Sequence, residues 1–353
     1  MTDLRIAIAG FGLAGEVFHA PLIAATPGLS VAAVATSNPV RAARARSQYP
    51  GVGVVADAEA LLADADRFDA LVIATPNRLH VPIARLALRR GLPVVVDKPL
   101  APGADAAQAL ADDFDAAGVP LTVFQNRRWD GDFLTVRRTV ESGSLGQITR
   151  FESRYERFRP EVREGAWREL AEPGDGGGLL LDLGAHLVDQ ALLLFGPVAR
   201  VYAEIDVRRP GAQVDDDVFV ALEHAGGVRS HLWMSVLAPV GGRSLRVSGT
   251  QGGIETPGLD PQEDQLAAGT RPGDEGWGEG EPARLADRAG DERRMAIAPG
   301  AYERYYAAVR DALLGEGAMP VDPGESVAAL RVIDAARHSA ASATVIENAG
   351  STR

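Results

Sequence analysis

The chain has 353 residues, with 36 Lys and Arg against 48 Asp and Glu for a formal net charge of −12, 46% hydrophobic residues and no cysteine. That length fits two domains of about 100–200 residues, and the composition is that of a chain that folds fully. The charge excludes nucleic acid and anionic membrane surfaces as partners, the missing cysteine excludes disulfides and thiol catalysis, and the lack of a signal segment or long apolar run makes the cytoplasm the expected location.

The first third alternates short apolar runs with helical stretches, the pattern of βαβ units around a parallel sheet. Strands are expected at Arg5–Ala9, Leu29–Ala35, Leu71–Ala74, Pro93–Val96 and Leu121–Phe124, with helices at Gly15–Ala25, Pro39–Gln48, Val81–Arg90 and Ala104–Ala117. The strands are too continuously apolar to have a wet face, which implies a sheet covered on both sides. The boundary is placed at residues 123/124, and residues 124–353 are read as one α+β domain for substrate and oligomerisation, with the last helix able to pack back on the first domain. It begins with a helix over Phe133–Ser142, a strand over Ile148–Tyr155 and a helix over Leu179–Phe195. Strands at Val198–Val207, Asp217–Glu223, Val228–Val236 and Leu245–Gly249 follow, and the Gly-rich turns between them suggest an antiparallel meander, so a large, mostly antiparallel open sheet is expected. The Gly-, Pro- and charge-rich stretch Thr256–Arg294 reads as a long loop, and helices close the chain at Gly300–Leu314 and Glu325–Ala343.

Gly10-Phe11-Gly12-Leu13-Ala14-Gly15 follows a strand and opens a helix, the context in which a G-x-G-x-x-G string marks a dinucleotide site. Gly10 permits the tight turn, Gly12 lets backbone approach the pyrophosphate, Gly15 lets helix pack against strand, and the helix N-terminus attracts the phosphate. About 20 residues on, an NAD enzyme offers an acid to the ribose hydroxyls. Here Thr36, Ser37 and Asn38 stand instead, with Arg41 and Arg44 on the next helix, which favours NADP. The alternative is that the arginines face solvent and NAD binds as well.

Lys98 ends an apolar strand in Asp97-Lys98-Pro99, at the edge where ligands of open α/β sheets bind, and Pro99 restricts its backbone. In the Leu-rich run after Gly176, Asp182, His186 and Asp189 are spaced i, i+4 and i+7, so on one helix they share a face. A carboxylate beside a histidine makes a proton carrier near neutral pH. A satisfied structural histidine is the competing reading, and no metal is expected because no third ligand is evident. In Asp215-Asp216-Asp217 consecutive side chains diverge, so a solvated turn is expected there.

Together the glycine string, Thr75-Pro76-Asn77-Arg78-Leu79-His80, Asp97-Lys98-Pro99 and Asp182-x-Gly184-x-His186 resemble the Gfo/Idh/MocA oxidoreductases, whose motif usually has Glu where Asp97 stands. Asn126-Arg127-Arg128-Trp129-Asp130, Tyr155 to Val162, Gly258 to Asp264 and Trp277-Gly278 resemble that family's NADP-dependent scyllo-inositol dehydrogenase branch, in which His often replaces Gln125 and Arg often replaces Asn38. The resemblance implies a dehydrogenase for a cyclic polyol. Lys98, Asp182 and His186 would be catalytic, Thr75, Pro76, Asn77, His80 and Lys98 would join the cofactor site, and Asn126, Arg128, Tyr155, Arg157, Asp182 and His186 would line the substrate pocket. It also implies a homodimer or homotetramer. An aldose dehydrogenase, an enzyme that keeps its dinucleotide while cleaving glycosidic bonds, and a non-catalytic dinucleotide sensor are the competing functions.

Overall fold

In the computed structural model, which describes residues 3–162, 169 and 176–347, six parallel strands form the first sheet: β1 (Leu4–Ala9), β2 (Leu29–Ala35), β3 (Gly53–Val55), β4 (Ala70–Ile73), β5 (Val94–Asp97) and β6 (Leu121–Phe124). Their order is β3-β2-β1-β4-β5-β6. Every residue of β4, β5 and β6 is buried, which is why these strands carry no polar alternation. The strands alternate with α1 (Ala20–Ala25), α2 (Pro39–Gln48), α3 (Ala58–Ala63), α4 (His80–Leu88) and α5 (Ala104–Ala117). Asn38 caps α2, its Oδ1 accepting from the amides of Val40 and Arg41. The expected helix from Gly15 opens as wide π-type turns over Ala14–His19 before α1. β3 and α3 went unread because three and six residues are too short to show a period.

A second sheet has nine strands. They are β7 (Ile148–Phe158), β8 (Val198–Asp206), β9 (Asp217–His224), β10 (Arg229–Ser235), β11 (Leu237–Gly249), β12 (Gly252–Pro257), β13 (Ala283–Asp287), β14 (Glu292–Met295) and β15 (Ile346–Glu347). They are ordered β14-β13-β12-β11-β7-β10-β9-β8-β15. All pairs are antiparallel except β7 with β10, so the meander expectation holds for β8, β9 and β10 while β7 enters in parallel. Strict alternation of burial along β9 gives the sheet one covered face. The helices α6 (Gly131–Glu141), α7 (Leu179–Asp182) and α8 (Gly184–Phe195) contact that sheet.

The chain divides into one unit of Met1–Asn126, Gln262–Trp277 and Ala301–Val327, and another of Arg127–Pro261, Gly278–Gly300 and Ala328–Arg353. The expected second domain runs unbroken from residue 124, whereas this division returns two later segments to the first unit. α9 (Gln262–Ala268) and α10 (Glu303–Leu313) lie in the first unit, and most of α11 (Pro323–Ser342) lies in the second.

The structure departs from expectation at three places. The stretch Thr256–Arg294 is not one loop, since α9, β13 and β14 interrupt it, and the turn between β13 and β14 is held by Asp287 Oδ1 accepting from the amides of Ala289 and Asp291. The single helix expected over Leu179–Phe195 breaks at Leu183, where Gly184 admits Leu180 and Met234 so closely that a Cβ would sit 2.9 Å from Leu180 Cδ1. Only His186 and Asp189 therefore share an uninterrupted helix. Asp215 to Asp217 is not a solvated turn either: Asp215 Oδ2 caps α7 at the Leu180 amide (2.6 Å), and Asp216 is 1% exposed and paired with Arg209 at 3.0 Å.

A Cβ on Gly15 would stand 2.1 Å from the Gly10 carbonyl oxygen, whereas Gly226 has open space around it. Gly15→Ala is expected to lower stability by about 1–3 kcal/mol and Gly226→Ala by less than about 0.5 kcal/mol, read by urea denaturation.

Candidate active site

The first unit gathers its candidates along the C-terminal edge of the parallel sheet. Gly10 has φ +97°, and a Cβ there would meet the Ala74 carbonyl oxygen at 2.5 Å, so the turn after β1 closes directly onto the end of β4. Gly15 packs on the Gly10 carbonyl, while among the described residues a Cβ on Gly12 would meet only Arg41, whose Nη1 would lie 3.7 Å away. That arrangement leaves Gly12 backbone approachable, with a guanidinium beside it, and fits a dinucleotide pyrophosphate. Phe11 is buried, Leu13 is exposed and Ala14 is half-buried.

At the end of β2, Thr36 Oγ1 accepts from the Asn38 amide (3.3 Å) and Ser37 is exposed. Arg44 pairs with Glu16 at 2.8 Å, so of the two arginines proposed for a ribose phosphate only Arg41 lacks an ion pair among the described residues. Thr75 and Pro76 are half-buried beside buried Asn77. His80 is fully buried, and its Nδ1 and Nε2 face the carbonyl oxygens of Pro99 (2.8 Å) and Thr75 (3.0 Å). It therefore ties the Thr75 loop to the peptide after Lys98, with both ring nitrogens engaged by carbonyl oxygens. Burial lowers its pKa, while Asp97 and the two carbonyls act against that.

Lys98 is half-buried at the end of β5, and it is the only lysine in the sequence, the other 35 of the 36 basic residues being arginine. Arginine cannot give up its proton and carries a broad planar head, whereas a lysine amine is compact and titratable. The composition alone carries this signal.

In the second unit, Asp182 is half-buried at the end of α7 and His186 is 5% exposed on the first turn of α8. Asp189, one turn further, takes Arg128 in a bidentate pair (Nε–Oδ2 2.8 Å, Nη2–Oδ1 2.6 Å), with both residues buried. Arg128 thus spends much of its donor fork inside the protein. The pairing spans 61 positions and left no local signal. Gln190 Nε2 donates to the Arg127 carbonyl (2.9 Å) and secures the same segment.

Tyr155, on β7, is 8% exposed and lies among three guanidinium groups, those of Arg127, Arg157 and Arg243 at 5.3, 5.2 and 5.7 Å from its ring centroid. Arg157 Nε is buried without a hydrogen-bond partner among the described residues. Arg243 in turn faces Asp130 at 2.7 Å and Asp132 at 3.4 Å. Burial pushes the Asp132 carboxyl up to about 6, with Arg243 opposing the shift and Asp130 adding to it. Asn126, assigned to the first unit, is 6% exposed. Among the described residues no group of three or more His, Asp or Glu could hold a metal ion, and no helix is long and apolar enough to cross a membrane.

Residues 4–125 match the model of an oxidoreductase family with an NAD-binding Rossmann fold, and residues 133–255 match the GFO/IDH/MocA C-terminal domain. An uncharacterized oxidoreductase of Escherichia coli, YdgJ, is 38% identical over 94% of this chain and 95% of its own length. The scyllo-inositol 2-dehydrogenase (NADP(+)) IolW of Bacillus subtilis is 32% identical over 95% of this chain and 93% of its own. A solved structure from Klebsiella pneumoniae is 41% identical with a TM-score of 0.88, covering 98% of this chain and 95% of that one.

The raised pKa of Asp132 sets a pH dependence. Because the folded value lies above the ordinary 3.8, the stability this group contributes is complete below about pH 4 and is lost as pH rises through about 6. Asp132→Asn, neutral throughout, should gain stability relative to the parent between pH 4.5 and pH 7, approximately the window of that titration, as measured by thermal denaturation at both values.

Proposed function

Because the chain belongs to the GFO/IDH/MocA oxidoreductase family and is an NAD(P)-binding dehydrogenase acting on CH–OH donors, we propose that its substrate is a cyclic polyol, scyllo-inositol or its keto form, and that NADP is its cofactor. The observation that carries the reading is Lys98, the sole lysine of the chain, at the sheet edge that also bears the glycine turn. The NADP assignment is supported by the absence of an acid at Thr36-Ser37-Asn38 and by Arg41 beside Gly12. The polyol assignment is supported by the printed activity of IolW and by the directional donors of Tyr155 and Arg157.

The glycine turn, Thr36, Ser37, Arg41 and the Thr75–Asn77 loop would hold the dinucleotide, which supplies the hydride acceptor for a secondary alcohol. His186 takes the hydroxyl proton of that alcohol during oxidation and returns it during reduction. Lys98 donates a hydrogen bond to the same oxygen and stabilises the negative charge that develops there. Asp182 orients the histidine or anchors a neighbouring hydroxyl. Arg128, held by Asp189, keeps the segment at Asn126 in place, and Arg157 with Tyr155 offers donors to the polyol. A homodimer or homotetramer is supported by the half-exposed face of the nine-stranded sheet, where Arg154 lies 3.8 Å from the Trp233 ring centroid with Phe219 beside it, and a cytoplasmic location fits a polyol enzyme that uses a soluble dinucleotide.

The test is nicotinamide absorbance with NADP and NAD, each against scyllo-inositol, myo-inositol and several aldoses. Turnover with scyllo-inositol and NADP is expected. His186→Asn should lower kcat by about 10²–10⁴-fold and Lys98→Arg by about 10²-fold or more, although arginine keeps the charge. Near-full turnover by the His186 variant would overturn its role, and turnover only with aldoses would overturn the polyol assignment.

A further inference from the structure

Gly176, Gly177 and Gly178 precede α7, so this helix has no side chain of its own at the capping position. Asp215, 35 positions beyond Leu180, supplies what is missing. Its Oδ2 accepts from the Leu180 amide at 2.6 Å, and its main-chain carbonyl accepts from the Leu179 amide at 3.0 Å. Gly178 has φ +96°, and a Cβ there would collide with the same carboxylate. The glycine therefore admits the cap as well as the turn.

Asp215 is itself held in place. The neighbouring Asp216 carboxylate accepts from the amides of Arg208 (2.8 Å) and Arg209 (3.1 Å) and pairs with the Arg209 guanidinium. Arg209 Nη1 also donates to the carbonyls of Arg159 and Glu161, both at 3.3 Å, just after β7. The connection between β8 and β9 thus grips the chain where it leaves β7 and again where it enters α7. A single helical turn has little stability of its own, so the place of α7 comes from its buried leucines and from this cap. Backbone hydrogen bonds then run from Asp215 to Leu179, from Leu179 to Leu183 (2.8 Å) and from Leu183 to His186 (3.0 Å), while the Asp182 amide donates to Gly178 at 3.0 Å.

We propose that Asp215 is a positioning residue for Asp182 and His186: by holding the first two amides of α7 it fixes the backbone from which both side chains project. The structural part concerns α7 alone, and its catalytic consequence rests on the roles given to Asp182 and His186 above. A displacement of about 1 Å in a proton carrier costs on the order of a hundredfold in rate, so a cap that touches no substrate still governs turnover. Burial pushes the Asp215 carboxyl up, with the Leu180 amide and Arg337 on α11 acting against it. The cap therefore works through its acceptor oxygen, which an asparagine offers without the buried charge.

Two readouts on the full chain test this. Amide hydrogen exchange on peptides covering residues 179–187 reports the cap without any requirement for turnover: Asp215→Ala should exchange about tenfold faster there, and Asp215→Asn at the parent rate. In turnover, Asp215→Ala should lower kcat about tenfold to hundredfold, and Asp215→Asn should recover most of it. Added to His186→Asn, the alanine substitution should cost less than about threefold, because the group it positions is already gone. Asp215→Ser, whose hydroxyl is one bond shorter than the carboxylate, replaces the alanine variant if that does not fold. A folded variant with parent exchange, faster exchange with kcat unmoved, or the same fold-loss with and without His186 overturns the proposal, since a merely structural residue takes an equal factor from both backgrounds. If exchange quickens in a protein that oxidises no polyol, the cap stands and the substrate reading falls.

Discussion

One steric constraint organises the first unit: the turn after β1 must pass within van der Waals reach of the end of β4, with helix packed on top of it. Gly10 meets the Ala74 carbonyl and Gly15 meets the Gly10 carbonyl at distances no Cβ tolerates. Because β1, β4 and β5 are neighbours in a parallel sheet, that closure brings the glycine turn, the Thr75 loop and Lys98 out on the same edge. The order reverses between β1 and β4, the place where open α/β sheets bind ligands. His80 then joins two of these three pieces through its two ring nitrogens. The cofactor edge is therefore set by backbone contacts, and the side chains on it vary within a fixed frame.

The second unit depends on a different device. It buries Arg127, Arg128, Arg243, Asp130, Asp132 and Asp189 together, with Tyr155 among the guanidinium groups. Such clusters gain little net stability, because desolvation offsets most of the Coulomb attraction, yet removing one member is costly and each group is held in one orientation. The Arg128–Asp189 pair links the segment after β6 to α8, the helix that carries His186. Each charged group of the cluster is thereby held in a single orientation by its partner.

What could be read from the sequence follows from how local each signal is. The glycine string announces itself because three glycines at fixed spacing between a strand and a helix meet requirements of a single turn. The fully buried strands β4, β5 and β6 were likewise legible, because short runs of buried, mostly apolar residues stand out between helical stretches. β3, β13 and β14 were not, since their residues are mostly exposed or half-buried and form no such run. Asp215 to Asp217 looked solvated because a run of acids usually is, and only the fold supplies the Leu180 amide and Arg209 that bury it. Asp182 and His186 were recognised by spacing and resemblance, but their spacing gives no sign of the break at Leu183, beside which Gly184 packs on Leu180 and Met234. The solitary lysine was in plain view, and its meaning comes from the chemistry that separates an amine from a guanidinium.

The most direct measurement is calorimetric titration of the purified protein with NADPH and with NADH. Saturable binding of one dinucleotide per chain is predicted, with NADPH bound about tenfold or more tightly, a difference of about 1.4 kcal/mol or more that Arg41 would supply. Absence of saturable binding of either dinucleotide would contradict the account at its base.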